Sequence, residues 1–339
     1  MFHRTALISL SLALTACTSG KDTDDTDVDT DMAGDTDMAG DTDVATDNTI
    51  VGIAVATPRF SILVDAVTKA GLAGALDGVT VFAPNNDAFE AIFMALGIDG
   101  VADLTPEQLT VILKYHVLAG SVDSTAAIAA ANGAGTVGAL GGSLDLSLDG
   151  SDLKVDGATV ITPDIMASNG IIHEIDAVLV PNIVDVVTTD ADLTVLTSAL
   201  LAADGDASAP DLVGTLSGAG PFTVLAPVNS GFTALLTANS LTDLGGLVGA
   251  LGMGTVIDVL KYHVAAGALF SPDVVSASSF STLGGSVPVT VDGSMVTLNK
   301  DVSGFAGSND SVVQVVDLVT SNGVIHKISA VITPAQNAR

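Results

Sequence analysis

The sequence predicts an α+β protein made of two similar units placed one after the other. Four segments of the first half recur in the same order in the second half. Within each half, amphipathic helical patterns come first, and the two-residue alternation typical of strands dominates the end. With 339 residues, the chain is long enough for two domains that each bury a core.

The duplication is visible as pairs of matching segments. TVFAPNNDAF at 80–89 recurs as TVLAPVNSGF at 223–232, and the motif KYHV occurs once in each half. The remaining pairs are GGSLDLSLDG with GGSVPVTVDG, and SNGIIHEIDAVLVP with SNGVIHKISAVITP. These pairs predict a first domain at 48–181 and a second domain at 182–335.

The helix that carries the first KYHV motif has a clear predicted start. Thr105 stands at the N-cap, Pro106 at the first helical position, and Gln108 completes a capping box. We expect Gly120 to end this helix. Its buried stripe is predicted to consist of Leu109, Ile112, Leu113, His116 and Val117.

The end of each half is predicted to be antiparallel sheet. In the first half, two Asp-Gly pairs, at 149–150 and 156–157, interrupt an alternating stretch and indicate hairpin turns. A closing strand follows, and alternate residues along it predict one shared buried face. That face comprises Ile171, His173, Ile175, Ala177 and Leu179, and in the second half Val324, His326, Ile328, Ala330 and Ile332.

The N-terminus has the features of an export signal over residues 1–16. Arg4 precedes a short apolar stretch, and LTAC at 14–17 resembles a bacterial lipobox that ends at Cys17, the single cysteine of the chain. The resemblance implies cleavage before Cys17, lipid attached to that residue, and a place at the bacterial cell envelope. Because Thr18 is not an aspartate, the outer membrane is favoured over the inner one. With one cysteine, disulfides within the chain are excluded.

Residues 17–47 are predicted to be an acidic, solvated tether. The segment repeats DTDMAG and holds too little apolar surface to form a core. Calcium binding by its Asp-x-Asp spacings is the alternative, although a helix-loop-helix calcium loop also needs a turn Gly and a closing Glu.

The net charge of −29 limits the partners of the protein. Such a chain repels nucleic acid, anionic lipid surfaces and acidic polysaccharides. No uninterrupted apolar run of about 20 residues occurs, so we expect membrane contact through the lipid anchor alone.

The repeated segments resemble the fasciclin domain. TVFAPNNDAF is similar to its first signature block, KYHV to its Tyr-His block, and SNGIIHEIDAVLVP to its closing strand, and each half carries all three. The resemblance implies two tandem domains, each a wedge of β-strands with helices along one edge. It also implies a non-enzymatic role in cell-surface or matrix adhesion, with a protein or a polysaccharide as partner.

Candidate contact residues follow partly from this resemblance. Tyr115 and Tyr262 occupy matching positions at the helix ends, where a phenol can pack or can recognise a partner. In animal members, the Tyr-His region and segments similar to TPDIM at 162–166 and NKDV at 299–302 are implied as integrin contacts. This adds Asp164, Asn299 and Asp301 to the candidates.

The histidines are interpreted as structural. His116 and His263 lie on apolar helix stripes, and His173 and His326 lie on apolar strand faces, where satisfied ring nitrogens would fix helix against sheet. A zinc or acid-base pair completed by Asp176 is the alternative.

No catalytic motif, metal site or cofactor is predicted from the sequence. The pattern G-x-S-x-G is absent, as are the spacing His-x-x-x-His and a Gly-rich nucleotide loop. Two other functions stay open, namely small-molecule binding or hydrolysis within one domain, and a passive structural role in the envelope.

Overall fold

The computed structural model describes residues 48–206, 211–299 and 310–334. These residues belong to one compact unit, Ala45–Arg339. The predicted signal peptide, Cys17, the acidic tether and the candidate Asp301 lie outside the described residues. We call residues 48–181 the first copy and residues 182–334 the second copy.

Each copy begins with helices and ends with a run of strands, which confirms the predicted α+β class. The described helices are α1 (Ile50–Ala56), α2 (Ser61–Ala70), α3 (Asn86–Leu96), α4 (Pro106–Tyr115), α5 (Ser124–Asn132), α6 (Ile183–Thr189), α7 (Thr194–Asp204), α8 (Leu212–Ser217), α9 (Asn229–Ala238), α10 (Leu244–Leu251), α11 (Met253–Tyr262) and α12 (Ser271–Ser276). The described strands are β1 (Val79–Pro84), β2 (Val117–Ala119), β3 (Thr136–Ala139), β4 (Gly142–Asp149), β5 (Asp152–Val155), β6 (Ala158–Ala167), β7 (Gly170–Ile175), β8 (Phe222–Pro227), β9 (Val264–Ala266), β10 (Ser279–Thr282), β11 (Gly285–Asp292), β12 (Met295–Leu298), β13 (Ser311–Thr320) and β14 (Gly323–Ile328).

Helix α4 starts as predicted but ends earlier. The Thr105 hydroxyl accepts the Gln108 N–H at 3.2 Å, and the Gln108 side-chain oxygen accepts the Thr105 N–H at 2.7 Å. The predicted end at Gly120 is wrong, because His116 caps the helix and the next three residues form β2. As β2 pairs with β1, these residues exchange helical hydrogen bonds for bonds within the sheet.

The strands of the first copy form a closed sheet in sequence order, β1 to β7. The sheet closes because β7 lies parallel to β1, in register from Val79 with Gly170 to Pro84 with Ile175. The other neighbouring pairs are antiparallel, and the β6–β7 pair has two register shifts. The closing strand is therefore held between two other strands.

The second copy repeats this sheet with one opening. Its strand order is β10-β11-β12-β13-β14-β8-β9, with β14 parallel to β8. The edges β9 and β10 do not form a strand pair, but the Leu283 N–H still donates to the Val264 carbonyl at 2.7 Å. The matching bond of the first copy joins Leu140 to Val117 at 2.8 Å.

One predicted hairpin turn is confirmed and the other is shifted. Asp156 and Gly157 are the two loop residues between β5 and β6, and both have positive φ, 48° and 85°, as a tight turn of this kind requires. In the preceding hairpin Asp149 pairs with Asp152, so Gly150 and Ser151 form the loop instead of Asp149 and Gly150. Gly150 has a positive φ of 66°, as a turn glycine at this position is expected to have.

The closing strand β7 is buried on both faces, so the predicted face of Ile171, His173 and Ile175 is one of two buried faces. Its Ile172 packs in a core formed with the helices, whereas Ile175 packs in a second core formed with the hairpins. The strand also ends at Ile175, before Ala177 and Leu179. Each copy thus has a helical layer and a hairpin layer on opposite sides of its parallel strand pair, and β14 divides the second copy in the same way.

The two copies contact each other through a side chain of α4. The Gln108 amide group donates to the backbone carbonyls of Asp317 at 2.8 Å and Val316 at 3.3 Å in β13. A second contact joins α6 to β4, where the Asp185 carboxylate accepts the Ser143 N–H at 3.2 Å.

No single described helix is both long and apolar enough to cross a membrane. Three bent pairs of consecutive helices meet the length and composition requirements only when joined, namely Ile50–Ala56 with Pro58–Ala70, Ile183–Thr189 with Ala191–Asp204, and Leu244–Leu251 with Met253–Tyr262.

Candidate functional site

The Tyr-His motif of the first copy joins three layers of the fold at the end of α4. His116 is 1% exposed, and its Nδ1 lies 2.9 Å from the Ile112 carbonyl. Its Nε2 accepts the Leu179 N–H at 2.9 Å, so the ring is neutral with its proton on Nδ1. Burial lowers the pKa of His116 to about 4, against the opposing effect of the Ile112 hydrogen bond.

The second copy reproduces this arrangement. His263 Nδ1 lies 2.7 Å from the Val259 carbonyl, and Nε2 accepts the Ile332 N–H at 3.1 Å. Burial again lowers the pKa of His263 to about 4. In both copies, this histidine ties the end of the helix to the segment that follows the closing strand.

Tyr115 is 3% exposed and points into the hairpin layer. Its hydroxyl lies 2.7 Å from the Asp156 carboxylate and 2.9 Å from the Ser143 carbonyl. The same carboxylate accepts the Asp145 N–H at 2.6 Å. Burial raises the pKa of Tyr115, and the hydrogen bond to Asp156 adds to that effect. The expected partner contact through this ring does not fit its burial, because the phenol binds the protein's own hairpin.

The same correction holds for Tyr262 and Asn299. Tyr262 is 2% exposed, and its hydroxyl lies 2.7 Å from the Ser286 carbonyl and 2.9 Å from Asn299 Oδ1. Asn299 is fully buried and donates to the Thr333 carbonyl at 2.8 Å. Asn299 therefore fills the place that Asp156 has in the first copy, and both residues have positive φ, 60° and 48°.

The recurring Gly-Gly pair is explained by this packing. A Cβ added to Gly141 would lie 2.6 Å from the backbone nitrogen of Tyr115, and one added to Gly284 would lie 2.6 Å from that of Tyr262. The hairpin can approach the end of the helix this closely only without a side chain. The Gly-Gly and Tyr-His segments thus form one structural unit in each copy.

Asp164 is more exposed but is also held by the fold. Its backbone N–H donates to His173 Nδ1 at 3.2 Å, and its carboxylate accepts the Ser124 N–H at 2.8 Å together with a bond from the Ser124 hydroxyl. Burial alone would raise the pKa of Asp164, but the Ser124 hydrogen bonds outweigh it and lower that pKa. The His173 Nε2 donates to the Val122 carbonyl at 2.8 Å.

Asp317 and His326 form the equivalent group in the second copy. Asp317 donates its N–H to His326 Nδ1 at 3.2 Å and accepts the Ser271 N–H at 2.7 Å. His326 Nε2 donates to the Leu269 carbonyl at 2.7 Å, and burial lowers the pKa of this histidine. The two histidines of each copy therefore have separate sets of partners.

An acidic cleft of about 650 Å³ lies beside the tyrosine of the first copy. Asp145, Asp156 and Asp185 line it, and burial raises the pKa of both Asp156 and Asp185. Among residues 48–206, 211–299 and 310–334, no group of three or more His, Cys, Asp or Glu side chains is placed to hold a metal ion. Asp176, the carboxylate considered with the histidines, accepts the Thr159 N–H at 2.6 Å.

Sequence reasoning missed an ion pair in each copy whose strand member is nearly buried. Glu174 in β7 pairs with Arg59 at 2.9 Å, and Lys327 in β14 pairs with Asp190 at 2.5 Å and Asp192 at 3.3 Å. The signal was present in the closing strands, which read IIHEI and VIHKI. A charged residue on an otherwise buried strand calls for a partner of opposite charge.

The fold of each copy and the repeated motifs are those of one family of protein domains. The model of the fasciclin domain matches residues 58–181 and 197–334, and the chain belongs to this family. One match therefore lies in each copy.

Among curated proteins, protein sll1483 of Synechocystis is 40% identical over 137 residues, which is 39% of this chain and 73% of the relative. The uncharacterized Synechocystis protein sll1735 is 41% identical over 134 residues, which is 38% of this chain and 96% of that relative. A solved fasciclin domain pair from the insect cell adhesion molecule Fasciclin I aligns with 79% of this chain and 95% of that structure, with a TM-score of 0.38 and 17% identity.

Proposed function

We propose that the protein is a non-enzymatic binding protein of the cell surface or matrix, and that its two fasciclin domains mediate adhesion. The fasciclin domain match in both copies carries this proposal. His116, His263, Tyr115 and Tyr262 are buried and hydrogen-bonded to the protein itself, so they serve as structural parts. A partner must therefore be contacted by other, exposed residues.

The proposed contact surface is β6 of the first copy around Asp164. Ile161 is 49% exposed and Met166 is 63% exposed on this strand. The equivalent strand of the second copy, β13, contacts α4 through Gln108. Strand β13 therefore has a partner within the protein, whereas β6 has two exposed apolar side chains. These exposed side chains suit contact with another molecule.

The test is binding of the full-length chain to whole cells and to extracted matrix, with the double variant Ile161→Ser and Met166→Ser. We expect this variant to bind at least tenfold more weakly than the natural chain. The matched control is Val291→Ser and Met295→Ser, which changes two side chains of similar exposure in the second copy. Equal loss of binding in both variants would contradict the proposed surface. Absence of any binding by the natural chain would contradict adhesion and favour a passive structural role.

Prior treatment of the target separates the two partner classes. Loss of binding after protease treatment identifies a protein, and loss after periodate oxidation identifies a polysaccharide. Because the chain has a net charge of −29, an acidic polysaccharide is the least suitable ligand, and we expect binding to neutral or basic material.

We also propose that the chain is exported and held at the bacterial envelope by lipid on Cys17. The LTAC sequence and the single cysteine support this proposal. A chain with Cys17→Ser should move from the membrane fraction to the released fraction, whereas Thr18→Asp should move it from the outer to the inner membrane. Unchanged fractionation of Cys17→Ser would contradict the anchor.

A further inference from the structure

The first copy contains an apolar cavity of about 110 Å³ between its helices and its parallel strand pair. Side chains of α1, α2, α4, β1 and β7 line the cavity. Phe60, Leu63 and Ile172 form part of its buried wall. Lys114 and Leu140 line one exposed end of the cavity, and Thr68, Ala73 and Ala75 line another, so the cavity meets solvent on more than one side.

The second copy shows that the fold does not require this space. When the copies are aligned on Ile50 and Ile183, Ala54 corresponds to Val187 and Val67 to Leu200. The equivalent space is divided into two smaller cavities, one of about 50 Å³ lined by Val187 and Leu200, and one of about 20 Å³ lined by Leu196, Leu260 and His263. Helix α8 contributes Leu216 to that wall, whereas the first copy has a short 3-10 turn there, Ala73–Ala75. Larger side chains and an added helix thus reduce and divide in the second copy the space that is continuous in the first.

Lys114 gives the open cavity a charged end. It is the one lysine or arginine among the residues that line the cavity, and no Asp or Glu is among them. Within the described parts of the chain, Lys114 makes no ion pair within 4.0 Å. His116, the other titratable wall residue, is satisfied by Ile112 and Leu179. Lys114 also lines a neighbouring cleft with Glu107, Asp190 and Asp192, so an anion at this end would compete with these carboxylates for its ammonium group.

We propose that the first copy binds a monocarboxylic acid with an apolar tail, and that the carboxylate pairs with Lys114. The tail would occupy the cavity. For comparison, an engineered apolar cavity of about 150 Å³ in another protein holds benzene, so this smaller cavity encloses roughly four carbons of the tail. This binding is independent of adhesion through β6, which lies outside the cavity wall.

The direct test is titration of the full-length chain with octanoate, followed by ligand-observed NMR. We expect saturable binding of one equivalent. Butanoate should bind more weakly, by about fourfold for each methylene lost from the enclosed part of the tail. Absence of saturable octanoate binding, or equal affinity for butanoate, would overturn the proposal.

Two variants separate the tail from the head group. Ala54→Val with Val67→Leu introduces the second copy's residues and should weaken octanoate binding more than tenfold. Lys114→Gln should weaken octanoate binding several-fold without changing the affinity for octanol. The matched control Lys261→Gln alters the equivalent lysine of the second copy and should change neither. The proposal would be overturned if Ala54→Val with Val67→Leu left octanoate binding unchanged, or if the two lysine variants had equal effects.

A measurement on the natural chain locates the ligand even if the variant Ala54→Val with Val67→Leu does not fold. Nuclear Overhauser effects should connect the octanoate methyl group with the side chains of Ala54 and Val67. Contacts only to Val187 or Leu200 would assign the ligand to the second copy and contradict the proposal.

Discussion

Glu174 and Lys327 occupy the same position of the closing strand in the two copies and carry opposite charges. Each faces an alanine of the neighbouring parallel strand. Arg59 pairs with Glu174, and Asp192, which aligns with Arg59, pairs with Lys327 together with Asp190. Both copies therefore have an ion pair at this position with a nearly buried strand member, and the signs of the two charges are exchanged between the copies.

Reversing the charge of Glu174 alone should strongly destabilise the protein. Glu174→Lys places an ammonium group beside the Arg59 guanidinium in a site where the side chain is 5% exposed. Leaving a buried charge without its partner costs about 3 kcal/mol of unfolding free energy. Urea unfolding followed by circular dichroism measures this loss.

The second copy supplies the rescuing change. Arg59→Asp combined with Glu174→Lys reproduces the pair formed by Asp192 and Lys327, and it should recover at least half of the lost stability. Glu174→Gln is the control, since it keeps hydrogen-bonding atoms and should cost less than the charge reversal. A double variant no more stable than Glu174→Lys would show that the two charges do not interact.

The free energy of unfolding should decrease as the pH is lowered, because His116 and His263 are buried in the neutral form. The pKa of each is about 4 in the folded protein and 6.5 when exposed, so the unfolded chain binds more protons between these values. The contribution is complete above pH 6.5 and is lost as the pH falls towards 4. Each histidine should account for about 3 kcal/mol over this window. Urea unfolding at pH 7.5, 6, 5 and 4.5 measures the loss.

His116→Gln tests the assignment, because glutamine is uncharged at every pH. The variant is expected to be less stable than the natural chain at pH 7.5 and to lose less stability on acidification. His263→Gln should behave in the same way. Burial raises the pKa of Asp156 and Asp185, which favours the folded state at low pH, but this contribution is common to all the chains compared. An identical pH slope in the natural chain and both variants would contradict the assignment.

Much of the fold could be predicted from the sequence because local signals agreed with tertiary packing. The capping box of Thr105 and Gln108, the turn at Asp156 and Gly157, and the α+β class all follow from short-range patterns. The predicted end of α4 is wrong because the residues after His116 form β2, which pairs with β1 across a gap of more than 30 residues. A helical pattern that continues through His116 cannot reveal this competing partner.

The candidate contact residues show a second limit of sequence reasoning. The sequence around Tyr115 leaves its hydroxyl open to contact with another molecule. Its hydrogen-bond partners Ser143 and Asp156 cannot be predicted from that pattern, because they lie in a later hairpin. The sequence around Asn299 predicts a polar loop, but Asn299 directly follows β12 and its side chain binds Tyr262. Similarity to another protein's contact segment did not reveal that burial.

The contact between the copies can be tested separately from the helix start. Gln108→Glu keeps an oxygen that can accept the Thr105 N–H, but it removes the amide donors to Asp317 and Val316. The new carboxylate also repels these carbonyls. We expect increased hydrogen exchange at the contacting part of β13 and a loss of about 1 to 3 kcal/mol from the contact. Exchange in β13 equal to that of the natural chain would contradict a coupling role for Gln108.

Gln108→Ala provides the comparison, since it removes both the cap and the contact. It should additionally increase exchange in the first turn of α4, which Gln108→Glu should leave protected. Thr255 occupies the equivalent position of α11. Thr255→Ala is therefore a matched control outside this contact and should leave exchange in β13 unchanged.

The two tyrosines should contribute unequally to stability although their positions match. Tyr115 donates to a carboxylate, whereas Tyr262 donates to an amide oxygen, and a hydrogen bond to a charged acceptor is roughly twice as strong. At pH 7, Tyr115→Phe should cost about 2 kcal/mol and Tyr262→Phe about 1 kcal/mol, as measured by urea unfolding. Asp156→Asn gives the first copy the acceptor of the second. In that background Tyr115→Phe should cost about as much as Tyr262→Phe. If the larger cost persists in the Asp156→Asn background, the charge of the acceptor does not explain the difference.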